Sequence, residues 1–179
     1  MHSSLPLRHF FLALLVVAVW GTNFVVIMFA LADLPPLLFA ALRFSLAFIP
    51  AAFFLRRPRI SWRNLALYGV LIGVGQFGVL YVAMHGHISP GLASLVVQTQ
   101  VFFTIAMAMK ISGETVKPFQ WFALLLAASG IGVIVIHTDG TTTIVGLLLV
   151  LFAAMSWAAG NITAKRAVGI NMQIGRAHV

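Results

Sequence analysis

Six apolar runs, each roughly 20 residues long, take up most of the chain. They are Phe10–Ala32, Leu37–Leu55, Leu65–Met84, Gly91–Met109, Phe119–Ile136 and Ile144–Ala164. About 20 residues of helix cross a hydrocarbon core of roughly 30 Å. No water is available there, so each spanning segment must satisfy its own N–H and C=O groups as a helix or join a closed barrel. Barrel strands would be about 10 residues long with alternating apolar and polar positions, and none of the six runs alternates. The expected fold is therefore all-α: a polytopic membrane protein with six transmembrane helices. Composition agrees, with 61% hydrophobic and 8% charged residues against about a quarter charged in a soluble domain. The first run is too long for a secretory signal and is followed by further spans instead of a soluble domain.

The formal net charge of +8 does not point to nucleic acid, because the basic residues sit between apolar runs and cover no polar domain. In short connectors, the lysine and arginine bias sets orientation. Arg8, the group Arg56, Arg57, Arg59 and Arg63, the pair Lys110 and Lys117, and the pair Lys165 and Arg166 all fall on one side. The opposite connectors carry neither residue type, so the N-terminus is expected in the cytoplasm. Cysteine is absent, which excludes disulfides and thiolate metal sites. The chain holds no nucleophile–base pair, phosphate loop or zinc signature. Neither enzymatic chemistry nor a cofactor is expected.

Arg43 belongs to neither side. It lies within "PPLLFAALRFSLAFIPAAFFL", roughly 9 Å below the outer end at 1.5 Å per residue. An arginine at mid-bilayer is disfavoured by about 2.5–3.5 kcal/mol on insertion scales, so such groups face a bundle interior or a wet cavity. Its planar donor fork suits a carboxylate. A snorkelling position near the outer interface is the bland counterpart. Trp20 and Asn23 stand three residues apart and share a helix face. Asn23 could bind a substrate amine or carboxylate, or tie two helices together. Trp20 could wall a cavity or pack helices. Ser94 and Gln98 share a face of the fourth span, whereas Gln100 points roughly 200° away, so Gln98 is the cavity candidate and Gln100 a helix tie. Gln76 is expected to be an interhelical donor. Gly69 with Gly73, and Ser129-Gly130-Ile131-Gly132, are expected to be close-packing surfaces. No acid lies near the centre of a span: Asp33 and Asp139 are placed at the outer edge and Glu114 at the inner edge. These spans therefore show no buried carboxylate proton relay, so either the missing half supplies one or transport is downhill or by exchange; His85 and His87 are expected in a solvated connector.

Trp20-Gly-Thr-Asn23 in the first span has a counterpart in Trp157-Ala-Ala-Gly-Asn161 in the sixth. Helices one and six run in opposite directions, as an inverted-topology repeat requires, with its site at the repeat interface. The expected organisation is a cytoplasmic N-terminus at 1–9, a five-helix repeat at 10–137, the start of a second repeat at 138–168, and a tail at 169–179. Residues 174–179 resemble a translated sequencing adapter and are set aside. The chain is expected to be an N-terminal fragment.

The stretches "LALLVVAVWGTNFVVI", "PPLLFAALRFSLAFIPAAFF", "GQFGVLYVAM", "SPGLASLVVQTQVFFTI" and "SWAAGNI" resemble the EamA family of the drug/metabolite transporter superfamily. They are most similar to its O-acetylserine/cysteine exporters of bacterial inner membranes. The resemblance implies two five-helix repeats of opposite orientation, and export of small amino-acid-like metabolites by alternating access. The implied partners are a small-molecule substrate and the lipid bilayer, with a homodimer or a missing C-terminal repeat completing the pathway. The substrate-binding candidates are Arg43, Asn23, Trp20, Gln98, Trp157 and Asn161. A non-transporting membrane subunit, or a dimerising small multidrug-type module, is the rival function.

Overall fold

The computed structural model describes residues 7–54, 60–112, 118–136 and 142–176. Every regular element among them is helical: α1 (Leu7–Asp33), α2 (Pro36–Phe54), α3 (Trp62–Met84), α4 (Pro90–Ile111), α5 (Pro118–Ile136) and α6 (Ile144–Arg176). α1, α2, α3, α4 and α6 contain stretches long and apolar enough to cross a membrane, as an all-α polytopic membrane protein requires. α5 is a 19-residue helix at the fifth expected position. The last helix continues to Arg176.

Local signals account for the helix starts. Ser61 caps α3 by accepting from the Asn64 N–H at 3.3 Å. Ser89 caps α4 by accepting from Leu92 at 3.4 Å, with Pro90 at the first turn, where a missing N–H does no harm. Between α3 and α4 the chain reverses at Gly86, whose φ of 91° lies where only glycine is comfortable. Thr143 starts α6, accepting from the Gly146 N–H at 3.0 Å and donating to the His87 carbonyl at 3.1 Å. This clamp ties the α3–α4 turn to α6.

Two helices are not α throughout. α3 widens into a π segment over Val70–Gly78, and α4 tightens into a 3-10 turn over Val97–Thr99. α6 packs against both. Its buried face is Val150, Ala153, Ala154, Ser156 and Ala158, mostly small residues that let backbones approach in lipid. Contact is closest at glycines other than those expected. A Cβ added at Gly75 would lie 2.7 Å from Ser156 Oγ, one at Gly160 would lie 2.5 Å from Ile72 Cδ1, and one at Gly146 would lie 2.2 Å from the His87 oxygen. Gly69, Gly73, Gly130 and Gly132 have nothing within 4 Å of that position. Small residues mark an interface only where they face a partner, and α6 meets α3 at Leu71, Ile72 and Gly75. The core, around Ile27, Tyr81 and Val150, lies where α1, α3 and α6 converge.

Candidate functional site

Beside that core is a cavity of about 160 Å³ walled by five helices. α1 contributes Val19, Trp20, Asn23 and Phe24, and α2 contributes Arg43. α3 contributes Gln76, Phe77 and Leu80, α4 contributes Val97 and Gln98, and α6 contributes Trp157. Five of the six candidates named from sequence thus meet at one place. Asn161 does not line it. It stands four residues, about 6 Å of rise, beyond Trp157, next to Gly160 where α6 presses on Ile72 of α3.

Arg43 is the charged residue of this wall, and its surroundings explain how a guanidinium fits into an apolar helix. One of its amine groups (Nη1) donates a hydrogen bond to the Tyr81 hydroxyl. Its carbon centre lies 4.6 Å from the Phe77 ring centroid, within the range of a cation–π contact. The Tyr81 ring is in turn packed on Phe39 at 4.9 Å and Phe77 at 5.9 Å, and Tyr81 is fully buried. Arg43 is therefore directed inward against a rigid aromatic platform and does not snorkel to the interface. A guanidinium has five donors; with one on Tyr81, others remain for the cavity.

Trp20 and Trp157, the expected repeat counterparts, stack at 5.8 Å with 30° between planes. That stack joins α1 to α6 and forms an aromatic side of the cavity. Gln98 is on the 3-10 turn, where the α-helical phase relating it to Ser94 no longer holds. Ser94 instead donates to the Gly91 carbonyl at 2.7 Å. Gln100 accepts from Thr104 at 3.2 Å within its own helix, so it ties one turn to the next and not two helices. Gln76 also departs from expectation. It belongs to the π segment, is buried, and lines the cavity instead of bridging helices. Gln76, Phe77 and Tyr81 all lie in "GQFGVLYVAM", a stretch that carried the family resemblance but assigned none of them to the cavity. The one usable signal was spacing, since Phe77 and Tyr81 are four apart on one face.

Asp33 ends α1 and is exposed, whereas Glu114 and Asp139 lie outside the described residues. Among the described residues no cluster of histidines and acids could hold a metal ion. His85 is exposed and His87 half-buried.

A family model described as "EamA-like transporter family" matches residues 7–136. The chain belongs to the EamA-like transporter family. It is 45% identical over 158 residues to a "Probable amino-acid metabolite efflux pump" of Salmonella typhimurium, covering 87% of this chain and 53% of that protein. A protein of the same name from Escherichia coli is 44% identical, with 87% and 52% covered. An Escherichia coli "Uncharacterized inner membrane transporter YedA" is 30% identical, with 83% and 50% covered. The chain spans about half the length of the curated relatives it matches. No solved structure gives a significant match. This EamA-family chain is a multi-pass membrane protein, and the family assignment points to transport and not to an enzyme.

Proposed function

We propose that the protein containing this chain exports small amino-acid-like metabolites across a bacterial inner membrane by alternating access, with its N-terminus in the cytoplasm. In this account 10–137 is one five-helix repeat, α5 is its fifth span, and 138–168 opens a second repeat of opposite direction. Cysteine-pathway metabolites are the narrower substrate expectation. The observation that carries the proposal is Arg43, a cation on the wall of a cavity it shares with Asn23, Gln98, Trp20 and Trp157. An α-amino acid presents a carboxylate that matches the guanidinium fork. Drug-sized ligands occupy pockets of roughly 300–1,000 Å³. A cavity of about 160 Å³ favours a metabolite of few atoms. The efflux-pump names of the two relatives above support the same substrate class.

Hydrogen bonds to a charged group contribute about 1.5–3 kcal/mol, which is roughly tenfold to a hundredfold in affinity. Arg43→Gln should therefore lose most export. Arg43→Lys keeps the charge without the fork and should retain part of it. The measurement is efflux of cysteine and O-acetylserine from loaded cells, with membrane levels matched by immunoblot. Export at the parental rate by Arg43→Gln would remove Arg43 from the substrate site.

A further inference from the structure

On the cavity wall, carboxylate recognition leaves Gln76 without a task. The residue is 5% exposed, and its Oε1 is buried with no hydrogen-bond partner. Buried polar groups are nearly always paired in folded proteins, so an orphaned acceptor on a cavity wall marks a place for a donor the protein does not itself supply. The backbone on either side is held. Gly75 is pressed against Ser156 of α6 so closely that a Cβ would lie 2.7 Å from its hydroxyl. Phe77 is the platform 4.6 Å beneath the Arg43 guanidinium. Gln76 thus follows in sequence a residue tight against α6 and precedes the platform of the arginine, and it lines the same cavity as Arg43.

We infer that Gln76 is the acceptor for the substrate's ammonium group, so that the cavity reads a zwitterion with the carboxylate at Arg43 and the amine at Gln76. This rests on the carboxylate assignment of Arg43 made above. An amide suits the role better than an acid. A carboxylate at position 76 would be drawn to Arg43 and would occupy the fork meant for substrate. A neutral amide accepts an N–H without that competition. The other acceptors are less suited: Tyr81 already holds Arg43, Gln98 is exposed and Asn23 only half-buried. The ligand class is a small α-amino acid with both poles free. Carboxylates lacking the amine, and amines lacking the carboxylate, each leave one pole unpaired.

The test uses the protein from its full reading frame, reconstituted in vesicles, with labelled L-cysteine as the transported probe. The competitors are 3-mercaptopropionate, which lacks the amine, and cysteamine, which lacks the carboxylate. The parent should prefer L-cysteine to both. Gln76→Met keeps the length and removes the acceptor. It should cut the preference for L-cysteine over 3-mercaptopropionate by roughly tenfold to a hundredfold, with inhibition by 3-mercaptopropionate unchanged. Gln76→Glu should shift preference towards cysteamine, because the added charge engages Arg43 and favours a cation. A Gln76→Met protein with the parental ratio, one that weakens both competitors alike, or a Gln76→Glu protein with no shift overturns the inference. If L-cysteine is carried and Arg43→Gln abolishes this while Gln76→Met keeps the ratio, only the zwitterion assignment falls. If the parent carries neither L-cysteine nor any other small α-amino acid, the proposed function falls and this assignment with it.

Discussion

At the scale of single residues, Arg43 shows how a charge is made compatible with hydrocarbon. Burial alone would be prohibitive for an isolated guanidinium. Tyr81 takes one donor, Phe77 offers its ring face, and the cavity accepts the rest. Tyr81→Phe keeps the packing against Phe39 and Phe77 and removes only the hydroxyl. We expect it to raise the KM for export about tenfold, with maximal rate and membrane level little changed, because the guanidinium loses its fixed direction. An unchanged KM in a transport titration would mean that Arg43 is positioned by Phe77 alone. Arg43 was legible in the sequence because one cation in a span of leucine, alanine and phenylalanine has few outcomes. Tyr81 was not, since a tyrosine in such a span looks like any other aromatic core residue.

At the scale of elements, α3 decides the site. Its π segment places Gln76 and Phe77 on the cavity and Gly75 on α6. π turns often accompany functional sites, but 3.6-residue periodicity assumes they are absent. Helix existence and approximate ends were therefore readable from the apolar runs, and Gln98 was expected on the cavity where it lies, whereas the facing of Gln76 was not legible. The glycines teach the same lesson, since a small residue shows that close approach is allowed but not that a partner arrives. Alanine substitutions should rank accordingly. Gly146→Ala meets backbone at 2.2 Å and Gly75→Ala meets Ser156 at 2.7 Å, whereas Gly160→Ala meets the Ile72 side chain, whose Cδ1 at 2.5 Å can swing aside, and Gly69→Ala meets nothing within 4 Å. Overpacking typically destabilises by about 1–3 kcal/mol. Thermal unfolding in detergent should therefore place Gly146→Ala and Gly75→Ala well below the parent, Gly160→Ala slightly below, and Gly69→Ala at or above it. Equal midpoints for Gly75→Ala and Gly69→Ala would contradict the packing of α6 on α3.

At the scale of the whole molecule, α6 is the organising helix. It packs on the irregular parts of α3 and α4 and reaches α1 through the Trp20–Trp157 stack, so a five-helix repeat taken alone would leave the cavity without one wall. Trp20 and Trp157, matched in the sequence, stack on one another in space, whereas Asn161 stands where α6 packs against α3 and does not line the cavity with Asn23. The two faces of α2 differ in what they meet. Arg43 faces the cavity it shares with Asn23, Gln76 and Gln98, while Ala41 lines an open apolar groove beside Gly69 and Gly73. This chain has no cysteine, so single cysteines can report on each face. A membrane-impermeant maleimide reacts only where a thiol meets water and can ionise. The central claim is that α2 turns Arg43 into a water-reachable cavity at membrane depth. It predicts rapid labelling of Arg43→Cys and protection of Ala41→Cys; equal protection at both positions would contradict it.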